Sequence, residues 1–277
     1  MPITFNSVLR QAGLDPADVR LLRHKDNRAD PGRGPYHLWL KAPDDFMAYQ
    51  AMQSPSKRTT LSGRYWAAFV ATPSDDTLFV GIWSAIHLGL NQARLPWPQS
   101  QNKFDEPGTV DTYQLTPTSY LSDMVGRLIV DWSTGQRSWV QYAHTRDKQV
   151  IELRRAFREE EFPGFLRFQT QLSQVSQLPE AWRAILRNAR GIYLLTCPRT
   201  REQYVGSATG SDGFVGRWDF YVQNGHGGNI ALKSRELSDY QIDILEVAGS
   251  SASTAEIVTL EEIWKRKLQS KKMGLNR

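Results

Sequence analysis

The sequence predicts an α+β protein in two parts: a mainly β N-terminal domain with short helices, and a small C-terminal domain whose three-stranded antiparallel sheet is flanked by helices. Three observations predict it. From Tyr65 to Arg155 the chain breaks into short runs rich in β-branched and aromatic residues, separated by turn residues such as Pro73-Ser74-Asp75 and Pro107-Gly108. From about residue 188, strand-like runs alternate with runs of helical period. Between the two, Pro163-Gly164 interrupts the chain, and Leu172, Val175, Leu178, Trp182, Ile185 and Leu186 mark a helical bridge. The expected limits are 1–162, 163–187 and 188–277.

Along the N-terminal domain, Thr4 is the natural cap of a helix over 4–14, with Phe5, Val8, Leu9 and Ala12 on one face. The segment from Lys25 to Pro35 is rich in charge, Gly and Pro and reads as a loop. Residues 43–53 open with Asp44 and Asp45, which suit a helix first turn, and Phe46 and Tyr49 share a face. The strand-like runs that follow suit a twisted antiparallel sheet or a small open barrel. Residues 126–132 and 138–143 flank the short link 133–137 and read as a hairpin. The charged stretch from Asp147 to Glu161 reads as a solvated face.

In the C-terminal part, 190–197 and 202–208 read as two paired strands that carry Tyr193 and Tyr204. Ser211-Asp212-Gly213 opens a helix in which Phe214, Trp218 and Tyr221 share a face with Arg217 beside it. Residues 240–247 read as a third strand. A last helix runs from Thr254 to Leu268, its buried stripe formed by Ile257, Leu260, Ile263, Trp264 and Leu268. Glu261 borders that stripe. A carboxylate there is costly without a partner, and Arg217 or a divalent cation would serve.

Composition narrows the function. A chain of 277 residues with 40% hydrophobic and 23% charged residues is ordinary for a globular protein. A net charge of +5 permits nucleic acid as a partner without requiring it. No apolar run is long enough to span a bilayer and the first residues lack a signal-type core, so a cytoplasmic location is expected. The one cysteine, Cys197, excludes an internal disulfide and reads as a small buried hydrophobe. The five histidines show no pair at metal-ligand spacing, and no phosphate loop ending in Gly-Lys-Ser/Thr occurs.

Gly191-Ile192-Tyr193, Tyr204-Val205-Gly206, Arg217, Glu261 and Asn276 occur in that order within the last third. This order resembles the GIY-YIG nuclease family, with Val205 where isoleucine is usual. Arg217-Trp218, the run Tyr-Val-Gly-Ser-Ala, Trp264 three residues after Glu261, and Gly274-Leu275-Asn276 extend the resemblance, which covers 188 to the C-terminus. It implies that Tyr193, Tyr204, Arg217 and Glu261 are catalytic, that Asn276 supports them, and that Tyr193 is the candidate general base. Where some members carry a histidine one turn after Arg217, this chain has Tyr221, a second supporting candidate. His226, in a Gly-rich link, is a third.

The chemistry is consistent with phosphodiester hydrolysis. Arg217 offers fixed charge to an anionic transition state. Glu261 is expected to hold one hard cation per site, Mg2+ or Mn2+. The expected function is a DNA endonuclease of restriction or phage-defence type, with a homodimer or sequential nicking needed to break both strands and no membrane partner. A structure-specific repair or mobile-element nuclease, and a weak nucleic-acid binder that docks a partner protein, are the alternatives. The N-terminal domain is expected to choose the target. Trp66, Trp83, Trp132 and Trp139, with Arg64, Arg127 and Arg137, are the candidates for a basic, aromatic-lined DNA surface or a pocket for an everted base.

Overall fold

The computed structural model describes residues 2–26, 28–132, 138–224 and 239–276. The chain divides into two compact units, Met1–Glu160 and Glu161–Arg277. It is a mixed α+β protein with a curled multi-stranded sheet.

In the first unit, helix α1 (Phe5–Gln11) starts at Thr4, whose hydroxyl and Ser7 form a reciprocal capping box, and it buries Phe5, Val8 and Leu9. Strand β1 (Val19–His24) follows and is buried along its whole length. Helices α2 (Pro35–Lys41) and α3 (Pro43–Ala51), strand β2 (Met52–Gln53) and the single turn α4 (Arg58–Leu61) lead to β3 (Tyr65–Ala71) and the long β4 (Thr77–Leu90). The short pair β5 (Leu95–Pro96) and β6 (Phe104–Asp105) stands apart. Strands β7 (Asp111–Pro117), β8 (Leu128–Val130), β9 (Val140–Tyr142) and β10 (Val150–Leu153) complete the unit.

Its sheet runs β10-β8-β4-β3-β1-β9, with β7 paired to both β4 and β2. Two sequence expectations fail here. The sheet is not wholly antiparallel, because β1 and β3 pair in parallel, Val19 opposite Tyr65. A parallel pair needs a long crossover, and the segment carrying α2, α3 and α4 provides it. Nor do 126–132 and 138–143 form a hairpin: β8 pairs with β10 and β4, whereas β9 pairs with β1. Leu128, Ile129 and Val130 are all buried, and a strand buried on both faces belongs inside a sheet, flanked on both sides. The link 133–137 lies outside the described residues. Both faces of the sheet are covered around β3 and the first half of β4, whereas Ile86 and Leu88 of β4 and Ile151 and Leu153 of β10 are exposed. Ala67, Phe69 and Phe79 pack with Phe5 and Leu9 of α1, and Ala68, Val70 and Val80 pack with Tyr36 and Leu38 of α2 and Phe46 of α3.

In the second unit, strands β11 (Gln169–Gln171), β12 (Gly191–Thr196), β13 (Gln203–Ala208) and β14 (Gln241–Val247) form an antiparallel sheet in the order β11-β14-β12-β13. The three expected strands are neighbours, and β11 adds a fourth. Helices α5 (Glu180–Arg187), α6 (Gly213–Asn224), α7 (Thr254–Lys267) and the single turn α8 (Ser270–Met273) surround it. The segment 163–187 is not a separate bridge: Phe168, Leu172, Val175, Leu178, Trp182 and Leu186 share one core with Tyr193 and Trp218. Its apolar residues are the cover that the sheet face needs. On the opposite face Ile192, Leu194 and Val205 pack against Ile257 of α7. Cys197 is buried just after β12.

Candidate active site

Alternation along β12 and β13 decides which side chains meet. Tyr193 lies directly across from Gly206, and Tyr204 across from Leu195. Side chains two apart share a face. Tyr193, Tyr204 and Ala208 therefore face α6, and they share a core with Phe214, Trp218 and Tyr221 of that helix. Gly206 is required by this packing. A Cβ there would strike the Tyr193 phenol oxygen and lie 2.5 Å from its Cζ. Gly213, with φ +50°, is required at the start of α6, where a Cβ would lie 2.5 Å from the Arg187 carbonyl oxygen at the end of α5.

Four of the predicted residues converge on this face. The Tyr193 hydroxyl donates to the Tyr221 hydroxyl at 3.0 Å. Arg217 donates through Nε to Tyr193 at 3.2 Å and through a terminal nitrogen to Tyr221 at 3.4 Å. Its guanidinium also lies over the Tyr221 ring, 5.0 Å from the centroid. Tyr204 closes the group, its ring 6.4 Å from that of Tyr221. Tyr221, standing where a histidine was the alternative, is thus a structural part of the cluster.

Electrostatics set the protonation states. Burial pushes the Tyr193 phenol above its ordinary range, Tyr204 adds to the rise, and Arg217 opposes it. Burial likewise pushes Tyr221 upward. Burial by itself would lower the Arg217 guanidinium; Tyr193 and Tyr221 outweigh it, and the net direction is up. The cluster is a permanent cation held by two neutral phenols. A general base at neutral pH needs the opposite shift, so the base role that the resemblance implies for Tyr193 does not suit its surroundings.

Glu261 lies elsewhere. Its carboxylate accepts from the Ser207 hydroxyl and from Lys265 Nζ, the latter at 2.5 Å. Ser207 has the parity of Val205, so Glu261 sits on the α7 face of β13 while the phenols sit on the α6 face. The expected partner Arg217 is replaced by Lys265, one helical turn along α7. Glu261 and Lys265 are 14% and 15% exposed, so the pair is sheltered but reachable. Burial alone would lower the Lys265 ammonium; Glu261 and Glu262 raise it, and the net direction is up. Glu262 is solvated, bridging Lys265 and Lys271.

These two faces share one boundary, because β13 is the edge strand of its sheet. Asn276 clasps that edge: its side-chain oxygen accepts from the Val205 amide at 2.8 Å and its nitrogen donates to the Val205 carbonyl at 2.7 Å. The Leu275 amide donates to the Gln203 carbonyl at 2.8 Å. Asn276 is thus a brace for the strand that carries Tyr204 and Ser207.

Among the described residues no three His, Cys, Asp or Glu gather as a metal-binding group. Glu261 and Ser207 do bring two hard oxygens together, a donor set that suits one loosely held Mg2+ or Mn2+ retaining most of its waters. Lys265 neutralises that carboxylate in the structure described.

Three of the predicted DNA-reading residues, all tryptophans, fall in the core. Trp66 is fully enclosed and donates from its indole nitrogen to the Leu61 carbonyl at 3.0 Å. Trp83 and Trp132 are buried. Large aromatics dominate burial, and interior β-strands are where they are needed. Arg127 is bound to the carbonyl oxygens of Arg154 and Asp123, a structural bracket. Arg64 is exposed, its guanidinium 5.1 Å from the Tyr65 ring centroid. Trp139 is half-buried and lines a cavity. Arg137 and His226 lie outside the described residues.

That cavity, of about 520 Å3, was not legible in the sequence. It draws on residues spread from Arg23 to Trp139, and no local motif announces it. Among the described residues no helix is long and apolar enough to cross a membrane. Compared with protein-family models, curated proteins and solved structures, the chain matches none.

Proposed function

We propose that the chain is a divalent-metal-dependent DNA endonuclease of the GIY-YIG type, with its second unit cutting phosphodiester bonds and its first unit choosing the target. The observation that carries this reading is the Arg217 guanidinium, fixed by Tyr193 and Tyr221 beside an edge strand that bears Tyr204 on one face and Ser207 with Glu261 on the other. The ordered motif from Gly191 to Asn276 supports it. A phosphodiester bound at the β13 edge beyond the Asn276 clasp on Val205 would have the guanidinium face on one side and the hard oxygen donors of Ser207 and Glu261 on the other.

Each residue then has a part. Arg217 is half-buried and always charged, so it meets the phosphate and stabilises charge that develops on its oxygens. Tyr193 and Tyr221 are enclosed and act through Arg217 by holding its orientation. Tyr204 completes the wall beside the edge. Water is the nucleophile: its oxygen bonds to phosphorus as the P–O3′ bond breaks, one of its protons passes to solvent water, and the departing O3′ takes a proton from solvent water. Glu261 and Ser207 would hold the cation, which supplies charge neutralisation at phosphate oxygens when bound. One active site cuts one strand, so double-strand breaks would take a dimer or two successive nicks; a restriction or phage-defence role is the use we propose for a cutting unit joined to a reading unit.

The test is cleavage of plain, modified and branched DNA with and without Mg2+, using the intact chain, Glu261→Gln and Arg217→Ala. Metal-dependent cutting that both substitutions reduce about 100-fold or more is expected. Undiminished cutting by Glu261→Gln, or no cutting of any DNA by the intact chain, refutes the proposal.

A further inference from the structure

The first unit contains a cavity whose volume falls within the range of small-molecule sites, about 300–1,000 Å3. Its lining combines three features. The first is aromatic: Trp97, Trp139 and Tyr49 contribute to the walls. Trp139 is fixed because its carbonyl accepts from the Arg23 amide at 2.7 Å, and its ring lies 6.2 Å from that of His24 at a tilt of 34°. His24 itself is enclosed, accepts or donates at 3.1 Å with Gln50, and is kept neutral by burial.

The second feature is a pair of buried side-chain amides, Gln53 and Gln99. Gln53 donates to the Gln50 carbonyl at 2.8 Å, and Gln99 donates to Asp26 at 3.4 Å. Those bonds fix the amide planes. A carboxamide carries donor and acceptor side by side in one plane, which complements the edge of a nucleobase. The third feature is charge. Arg23, Lys25, Arg28 and Lys57 line the cavity with Asp26 and Asp105. Asp75 pairs with Arg23 and Lys25 and Asp26 with Arg28, so among the described ion pairs Lys57 is the lining cation with no carboxylate partner. Asp26 is already engaged by the Arg28 fork at 2.9 and 2.7 Å.

We propose that this cavity is a nucleotide site, which takes a nucleobase against Trp139 and the carboxamides of Gln53 and Gln99 and leaves the attached phosphate at the basic mouth. A purely apolar ligand would strand the buried amides and charges, and a simple anion would not use the aromatic walls. Two sources carry the same chemistry: a base everted from a DNA strand, and a free nucleotide. The everted-base source rests on the nuclease reading above; the nucleobase site itself does not. Eversion costs least at a mismatched or unpaired position, so such a position is the natural probe.

The experiment is equilibrium binding of the full chain, in EDTA so that cutting plays no part. The probes are labelled duplexes with a central matched pair or a central mismatch, with deoxynucleoside monophosphates as competitors. Trp139→Ala, Trp139→Phe and Lys57→Ala are measured beside the intact chain, each checked for a native thermal transition. Tighter binding of the mismatched duplex, lost roughly 10- to 100-fold in Trp139→Ala and kept in Trp139→Phe, supports an everted base. Competition by monophosphates without mismatch preference, also lost in Trp139→Ala, supports a free nucleotide. Lys57→Ala is expected to weaken all phosphate-bearing probes alike. Equal affinity for matched and mismatched duplexes with no monophosphate competition overturns the site, as does a preference that survives Trp139→Ala. Neither mismatch preference nor monophosphate competition in a chain that cuts DNA with Mg2+ would sink only this inference, and Trp139-dependent binding in a chain that cuts no DNA would sink only the nuclease.

Discussion

Replacing Gly206 by alanine tests the packing on which the cluster stands. The added Cβ would fall on the phenol of Tyr193, 2.5 Å from Cζ and 2.9 Å from Cε2, inside any normal contact distance. Tyr193 cannot swing away freely, because it is enclosed on all sides and bonded to Tyr221 and Arg217. Overpacking of a filled core costs about 1–3 kcal/mol, and losing one of those hydrogen bonds adds about 1 kcal/mol. A total of about 3 kcal/mol is expected, which lowers the thermal midpoint of a unit of this size by about 10 °C. Differential scanning calorimetry reads it as a shift of one unit's transition. In a Tyr193→Ala background the collision partner is gone, so Gly206→Ala should then cost less than about 1 kcal/mol, a coupling of about 2 kcal/mol. Equal cost in both backgrounds would refute the claim that the glycine is there to admit the Tyr193 ring.

Four further outcomes are expected. Arg217→Lys keeps the charge but not the two-point hold by Tyr193 and Tyr221, so kcat should fall about 100-fold with KM little changed, measured by steady-state cleavage. Tyr193→Phe should lower kcat less than Arg217→Ala does, because the phenol acts through the guanidinium; an equal or larger loss would assign Tyr193 a direct role. Burial holds the His24 imidazole near pKa 4, below its ordinary 6.5, so the unfolded chain binds more protons as pH falls. The first unit should therefore lose up to about 3 kcal/mol between pH 6.5 and 4, and His24→Gln should flatten that part of a pH–stability curve. The Arg58 fork at 2.9 and 2.6 Å, with His87 at 3.0 Å, holds the enclosed Asp111 below the usual carboxylate range. That stabilisation is complete above the unfolded carboxylate value and is lost as pH falls through the folded one, so Asp111→Asn should remove the acid limb below about pH 4 while weakening the unit at pH 7.

What the sequence revealed depended on whether the determining forces were local. Helix α1 is legible because Thr4 and Ser7 cap it and Phe5, Val8 and Leu9 fall on one face. Strands β3, β12, β13 and β14 are legible as apolar or alternating runs. Strand β1 is not, since it buries Arg20, Arg23 and His24. Their charge and polarity hide an interior strand until their partners are known: Arg20 donates to the carbonyls of Thr60 and Ser62, and Arg23 to Thr77 and Asp75. The true neighbours of β8 and β9 are likewise set by distant strands. In the candidate site, the Lys265 partner of Glu261 was readable from i,i+4 spacing, yet the motif drew attention to Arg217 instead. The separation of Glu261 from the phenols follows from strand parity, which the motif alone leaves out.

The first unit closes on itself. Thr4 pairs with Gln149, the Phe5 amide donates to the Lys148 carbonyl at 2.7 Å, and the Val150 amide donates to the Ile3 carbonyl at 2.9 Å. Its opening and closing segments are therefore stitched together at one seam. Such a body can be spliced into a surface loop of an unrelated host, or have its ends joined and be reopened at a tip such as Gly108, without severing the threads that hold it. A unit built this way can be joined by recombination to more than one kind of partner domain.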